Sequence, residues 1–128
     1  MTPEQTARLV ALPDALRAWA RADRVVAVHL GAHVARGLPL GHALAQLGAA
    51  LGEDGDWQVR QRLLAGGRRP EKFWPGCSRE FADGLRCRLL TTQLVQRAGA
   101  STVESCDDCA DWYEAHHRGQ IVRAVAAR

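Results

Sequence analysis

Aromatic residues are scarce in this 128-residue chain, with one Tyr, two Phe and four Trp. β-Branched residues are also thin outside the Val25–Val28 stretch, and Ala and Leu dominate an apolar content of 47%. That balance argues against a sheet-built core and favours helices. Lys occurs once against 16 Arg, the net charge is only +3, and no block of like charge reads as a nucleic-acid tail. The longest stretch free of formal charge, Gly37–Gly52, contains Pro39, His42, Gln46 and four glycines, so it does not resemble the roughly 20 apolar residues that span a bilayer. There is no basic segment followed by an apolar core and a small-residue cleavage site, which makes the cytoplasm the expected compartment and reduced thiols the expected state of the four cysteines. Gly-x-Ser-x-Gly and phosphate-cradling glycine patterns are absent, so the sequence offers no catalytic residue and no cofactor site.

What is present organises into helices. Thr2-Pro3-Glu4-Gln5 combines a cap, a proline for the first helical position and a Gln three residues after the cap. Residues 1–22, interrupted by Pro13, read as a helical lead-in to a main domain over 23–128. Asp23 caps a mostly apolar helix that stops at Gly37, and Pro39 opens the next, with Leu40, Leu44, Leu47 and Leu51 at spacings of three and four. Glu53-Asp54-Gly55-Asp56 reads as a solvated turn before a shorter helix through Trp57, Val59 and Leu63. Phe81, Leu85, Leu89 and Leu94-Val95 suggest a helix from Ser78 to Ala98, closed by Gly99. Ser101-Thr102-Val103-Glu104 has the form of a capping box opening a long helix to Val125. The expected fold is all-α, a compact bundle of about six helices in antiparallel hairpins, with Gly37, Pro39 and Gly99 as its structural turn residues.

Cys106-Asp107-Asp108-Cys109 is the clearest chemical motif, since Cys-x-x-Cys supplies half a zinc site or a redox centre. Cys77 and Cys87 are separated by nine residues and fall on an expected loop and helix, a poor spacing for a ribbon. Both cysteines of the pair would lie past the first turn of the last helix, beside two acidic side chains that raise a thiol pKa. The local context therefore favours packing thiols. The metal alternative is a zinc site using Cys106 and Cys109, with His116 or His117 as further ligands. His29 and His33 share a helical face without the acidic residue of a metalloprotease motif, and read as hydrogen-bonded histidines. Phe73 and Trp74 sit in a Pro- and Gly-rich stretch and, with Arg97 and Glu104 flanking the Gly99 turn, are candidate partner-binding residues.

Three stretches resemble the type II secretion F domain, the soluble domain of the inner-membrane platform protein of type II secretion and type IV pilus machines. Arg36-Gly37-Leu38-Pro39-Leu40 followed by Ala43-Leu44 is similar to that family's opening hairpin. Gln93-Leu94-Val95-Gln96-Arg97-Ala98-Gly99 is similar to its late helix, with Ala100 where the family has Glu. Trp112-Tyr113-Glu114 leading to Arg118–Arg123 is similar to the basic run that enters its first membrane helix. The resemblance implies a non-catalytic interaction domain on the cytoplasmic side of the bacterial inner membrane. Its implied partners are the assembly ATPase, inner-membrane secretion or pilus components and further copies of itself, with a membrane segment after residue 128. A zinc-binding helical protein is the first alternative; a helical nucleic-acid adaptor is the second.

Overall fold

The computed structural model describes residues 1–64, 77–89, 93–96, 102–117 and 120–124. The chain divides into two compact units, Met1–Arg69 and Pro70–Arg128. It is mostly helical: among the described residues there are six helices and one small sheet.

The first unit holds five helices: α1 (Pro3–Ala11), α2 (Asp14–Ala22), α3 (Arg24–Arg36), α4 (Leu40–Ala50) and α5 (Gly55–Leu64). Their ends follow the sequence signals. Thr2 and Gln5 form a complete capping box on α1, and the Asp23 carboxylate accepts from the Val25 and Val26 amides at the start of α3. Gly37 closes α3 in the left-handed conformation at φ +68°, a backbone that a side chain would strain. The buried His33 reaches over this turn, its Nδ1 2.5 Å from the Leu38 carbonyl oxygen, and so ties the end of α3 to the entry of α4.

Helix α4 carries no formal charge and buries Gly41, Ala43, Leu44, Ala45, Leu47 and Gly48, because α3 and α5 both pack against it. Leu16 and Trp19 of α2, Val26 and Leu30 of α3 and Val59 of α5 complete this core. Residues 1–22 join this packing. α1 and α2 both pack on α3, and two α1 side chains satisfy its last carbonyls: Gln5 Nε2 donates to Ala35 O and Arg8 Nε to Val34 O. The boundary expected at residue 22 thus differs from the division between the units.

Gly55, expected in a solvated turn, is buried at the start of α5. A Cβ on Gly55 would lie 1.7 Å from the Gly48 carbonyl oxygen, so α4 and α5 approach at a distance only glycine permits.

The second unit departs from the all-α expectation. It contains the strands β1 (Gln93–Gln96), β2 (Thr102–Ser105) and β3 (Gln120–Ala124) and the helix α6 (Asp107–His117). The sheet order is β2-β1-β3, antiparallel throughout, with an irregularity between Leu94 and Val95. The helix expected over Ser78–Ala98 is instead an irregular hairpin over 77–89, followed by β1. The capping-box pattern at Ser101–Glu104 does not start a helix; Thr102–Ser105 pairs with β1, Val95 opposite Val103, and Thr102 Oγ1 donates to Gln96 Oε1 across the strands. Alternation decides both cases, since a period of two buries Val95 against α6 while a helical reading of the same residues has nothing to pack on. Gly99, the third expected turn residue, lies outside the described residues. No described helix is long and apolar enough to cross a membrane.

The two glycine environments in the first unit give a paired test. Gly55→Ala is expected to lower its stability by about 3 kcal/mol, the upper range for overpacking. Gly31→Ala, mid-helix with open space around the added methyl, is expected to be neutral or to stabilise by up to about 1 kcal/mol. Denaturant melts followed by circular dichroism measure both.

Candidate metal centre

Three separate chain segments converge in the second unit. The hairpin over 77–89 is closed by Cys77 N–H donating to Leu89 O (3.0 Å), Cys87 N–H to Arg79 O (2.9 Å) and Phe81 N–H to Leu85 O (2.8 Å), with a bridge between Glu80 and Arg86. Gly84, at φ +84°, makes the turn. In this register Cys77, Arg79 and Phe81 share one face with Leu85, Cys87 and Leu89. Cys77 and Cys87 are both buried there, and Phe81 and Leu89 pack against the same core.

The other two cysteines come from the junction of β2 and α6. Cys106 is the cap of α6: its carbonyl accepts from Ala110 N–H (3.0 Å) and its sulfur accepts from Cys109 N–H (3.4 Å), the place where a Ser or Asp oxygen usually stands. Cys109 therefore lies in the first turn of α6 and not beyond it. Asp107 and Asp108 between the two cysteines occupy that first turn, where acidic side chains favour the helix dipole. Backbone and side-chain bonds lock the segments together. Ser78 N–H donates to Glu104 O (2.9 Å), the Ser78 and Tyr113 hydroxyls are 3.0 Å apart, and Arg86 Nε donates to Cys77 O (3.0 Å).

The sulfurs of Cys77, Cys87, Cys106 and Cys109 all lie within 4.8 Å of one another. The residues are 0%, 1%, 3% and 1% exposed. The Cys87–Cys106 sulfur separation is 4.0 Å. A disulfide needs about 2.05 Å, whereas a zinc ion bonded to four sulfurs at about 2.3 Å sets tetrahedral sulfur–sulfur edges of about 3.8 Å. Two cysteines separated by nine residues thus meet the Cys-x-x-Cys pair in one buried cluster.

Contact among the thiols splits their acidities. Hydrogen bonds from Cys106, Cys109 and Cys87 hold the Cys77 thiol far below the ordinary cysteine range. Cys106, hydrogen-bonded to Cys109, Cys77 and Cys87 and desolvated by burial, is driven far above it. Once one sulfur carries charge its neighbours resist ionising, and only a cation placed among them lets all four become thiolates.

His116, the imidazole candidate, is on the exposed side of α6: its Nδ1 is 3.1 Å from the Trp112 carbonyl oxygen of its own helix, and its ring stacks on Trp112. It is not among the grouped ligand atoms. Glu104 is exposed on β2, opposite Leu94; Phe73, Trp74 and Arg97 lie outside the described residues. In the first unit, an open groove of about 810 Å³ between α1, α2 and α3 has an apolar lining whose charged members are Arg17 and Arg21, with no thiol, imidazole or carboxylate to do chemistry. No known family, curated protein or solved structure matches this chain.

Burial of the sulfurs sets their reactivity. In the native chain, alkylation of all four thiols is expected to run on the order of 100-fold or more slower than in denaturant, since each needs a local opening of about 3 kcal/mol. Mass spectrometry of timed iodoacetamide reactions measures this.

Proposed function

We propose that the second unit is a zinc-stabilised module in which Cys77, Cys87, Cys106 and Cys109 together hold one zinc ion. One observation carries the reading: four buried sulfurs from the hairpin over 77–89 and the β2–α6 junction lie within 4.8 Å of one another. Soft thiolate donors in a tetrahedral set select zinc or iron among the common metals. With four protein ligands no position is left for water or substrate, so the metal's role is structural and not catalytic.

The need for a metal follows from the core. Among the described residues, four of the seven buried members of this unit's cluster are the cysteines; Val95, Ala110 and Tyr113 are the others, with Phe81, Leu89, Val103 and Trp112 packed against them. In a unit this small a metal commonly supplies part of the stability. Structural zinc binds with an apparent free energy of about 10–16 kcal/mol at neutral pH, and where the site forms only on folding that energy holds the fold.

The product is a small module of sheet and helix held around the metal. Of the three stretches that resemble the secretion and pilus family, Arg36–Leu40 joins α3 to α4, Gln93–Gln96 is β1, and the described parts of the third fall in α6 and β3.

The purified full chain is expected to carry one zinc per molecule by plasma emission, without the visible absorption of an iron tetrathiolate. Cys87→Ser is expected to lose it, while His116→Ala retains it. A strong chelator should abolish the near-ultraviolet dichroism of Trp112 and Tyr113 while the far-ultraviolet helical signal of the first unit persists. Zinc loading should fall with acidification, because protons compete for the same sulfurs. Metal-free protein with an intact second unit would overturn the proposal.

A further inference from the structure

Arg79 shares the inward face of the hairpin with Cys77 and Cys87. Its guanidinium carbon lies 4.0 Å from the centre of the Trp112 ring and 4.6 Å from that of Phe81. Nη1 points at the Cys109 sulfur from 4.0 Å. Its Nε is buried with no hydrogen-bond partner. Among the described residues no carboxylate lies within ion-pair distance of it.

An arginine held this way is costly. A buried donor without a partner loses its hydration outright, and the two aromatic faces offset only part of that. Next to a metal-free centre, where the thiols cannot all ionise together, the arrangement is poorly compensated. Next to a metal-loaded centre it is not, because four thiolates and one divalent cation carry a formal charge of −2, itself costly to bury. Backbone N–H donation from Cys109 to the Cys106 sulfur meets part of that charge. The guanidinium is the complementary fixed cation, delivered to the sulfur at the other end of the Cys-x-x-Cys turn.

We propose that Arg79 is the positioning and charge-compensating residue of the centre: sandwiched by Phe81 and Trp112, it donates to the Cys109 thiolate and raises the affinity for zinc. This rests on the tetrathiolate reading. The sequence places the residue for the task, since Cys77-Ser78-Arg79-Glu80-Phe81 in extended backbone sends the odd-numbered side chains to the sulfurs and Ser78 and Glu80 away from them. Arginine suits the position better than lysine, because its planar cation stacks on aromatic rings and is weakly hydrated.

The test uses the full chain and competition with a chromogenic zinc chelator. Arg79→Met keeps an apolar stem between the rings and removes the charge. It is expected to bind zinc about 10–100-fold more weakly, the range for residues that support metal ligands, with the stoichiometry still one. Arg79→Lys restores the charge and is expected to recover most of that loss.

Cobalt substitution reads the charge directly. Removing a cation beside a thiolate raises the energy of the sulfur lone pairs, so the sulfur-to-cobalt charge-transfer band of Arg79→Met should move to longer wavelength, which loss of packing alone would not cause. Should the Met variant fail to fold with zinc, the Lys variant decides: retention of zinc within about tenfold of wild type supports the proposal, and a loss as large as that of Cys109→Ser overturns it. Equal weakening by Met and Lys, or wild-type affinity and band position in Arg79→Met, also overturns it while leaving the zinc centre in place. A wild-type chain that binds no stoichiometric metal removes the centre itself.

Discussion

Four sulfurs brought into mutual contact are the constraint on which the second unit depends. The hairpin over 77–89 and the β2–α6 junction share a core in which, among the described residues, cysteines are four of seven buried members. Sulfur is a modest hydrophobe as a thiol and a strong ligand as a thiolate, so the side chains that fill this core are also those that could hold a metal. Hydrogen bonds from Ser78 to Glu104 and Tyr113 join the hairpin to the β2–α6 junction, and Arg86 donates to the Cys77 carbonyl within the hairpin.

The first unit solves its folding problem differently. Its central helix α4 is wrapped by α3 and α5, and its close contact with α5 is set by glycine against backbone at Gly48 and Gly55. Apolar packing, capped ends and one left-handed glycine are sufficient there, and no metal-ligating group is needed. Two kinds of core thus occur in one chain: a packed helical core, and a small sheet and helix gathered around four buried cysteines. The polar groups of the second unit carry a correspondingly larger share of its specificity, since each bond that aims a sulfur also shapes the site.

Legibility in the sequence followed the same divide. In the first half the local signals agreed with the tertiary outcome: Thr2 and Gln5 as a box, Asp23 as a cap, Gly37 as a stop, and leucines at helical spacing through α4. In the second half they competed. Leu85, Cys87 and Leu89 alternate with Arg86 and Arg88, a period-two pattern that places apolar side chains on one face of a strand; the wider spacing of Phe81, Leu85 and Leu89 by fours imitates a helix. Thr102 and Glu104 imitate a capping box although they are alternating strand positions. The alternation Cys-Arg-Phe and Leu-Cys-Leu, read together with the Cys-x-x-Cys pair, was the available sign that nine intervening residues form a hairpin returning the second cysteine to the first.

By itself the sequence determined the helical character of residues 1–64, because caps, glycine stops and apolar periodicity act within a few residues of one another and need no distant partner. It also determined that Cys106 and Cys109 would share a turn of backbone. Only the tertiary structure decided that Cys77 and Cys87 join them, that His116 does not, and that Arg79 lies against the sulfurs. Those relations depend on strand register and on long-range closure, where a shift of one residue reverses which face each side chain occupies, and no local propensity encodes that choice.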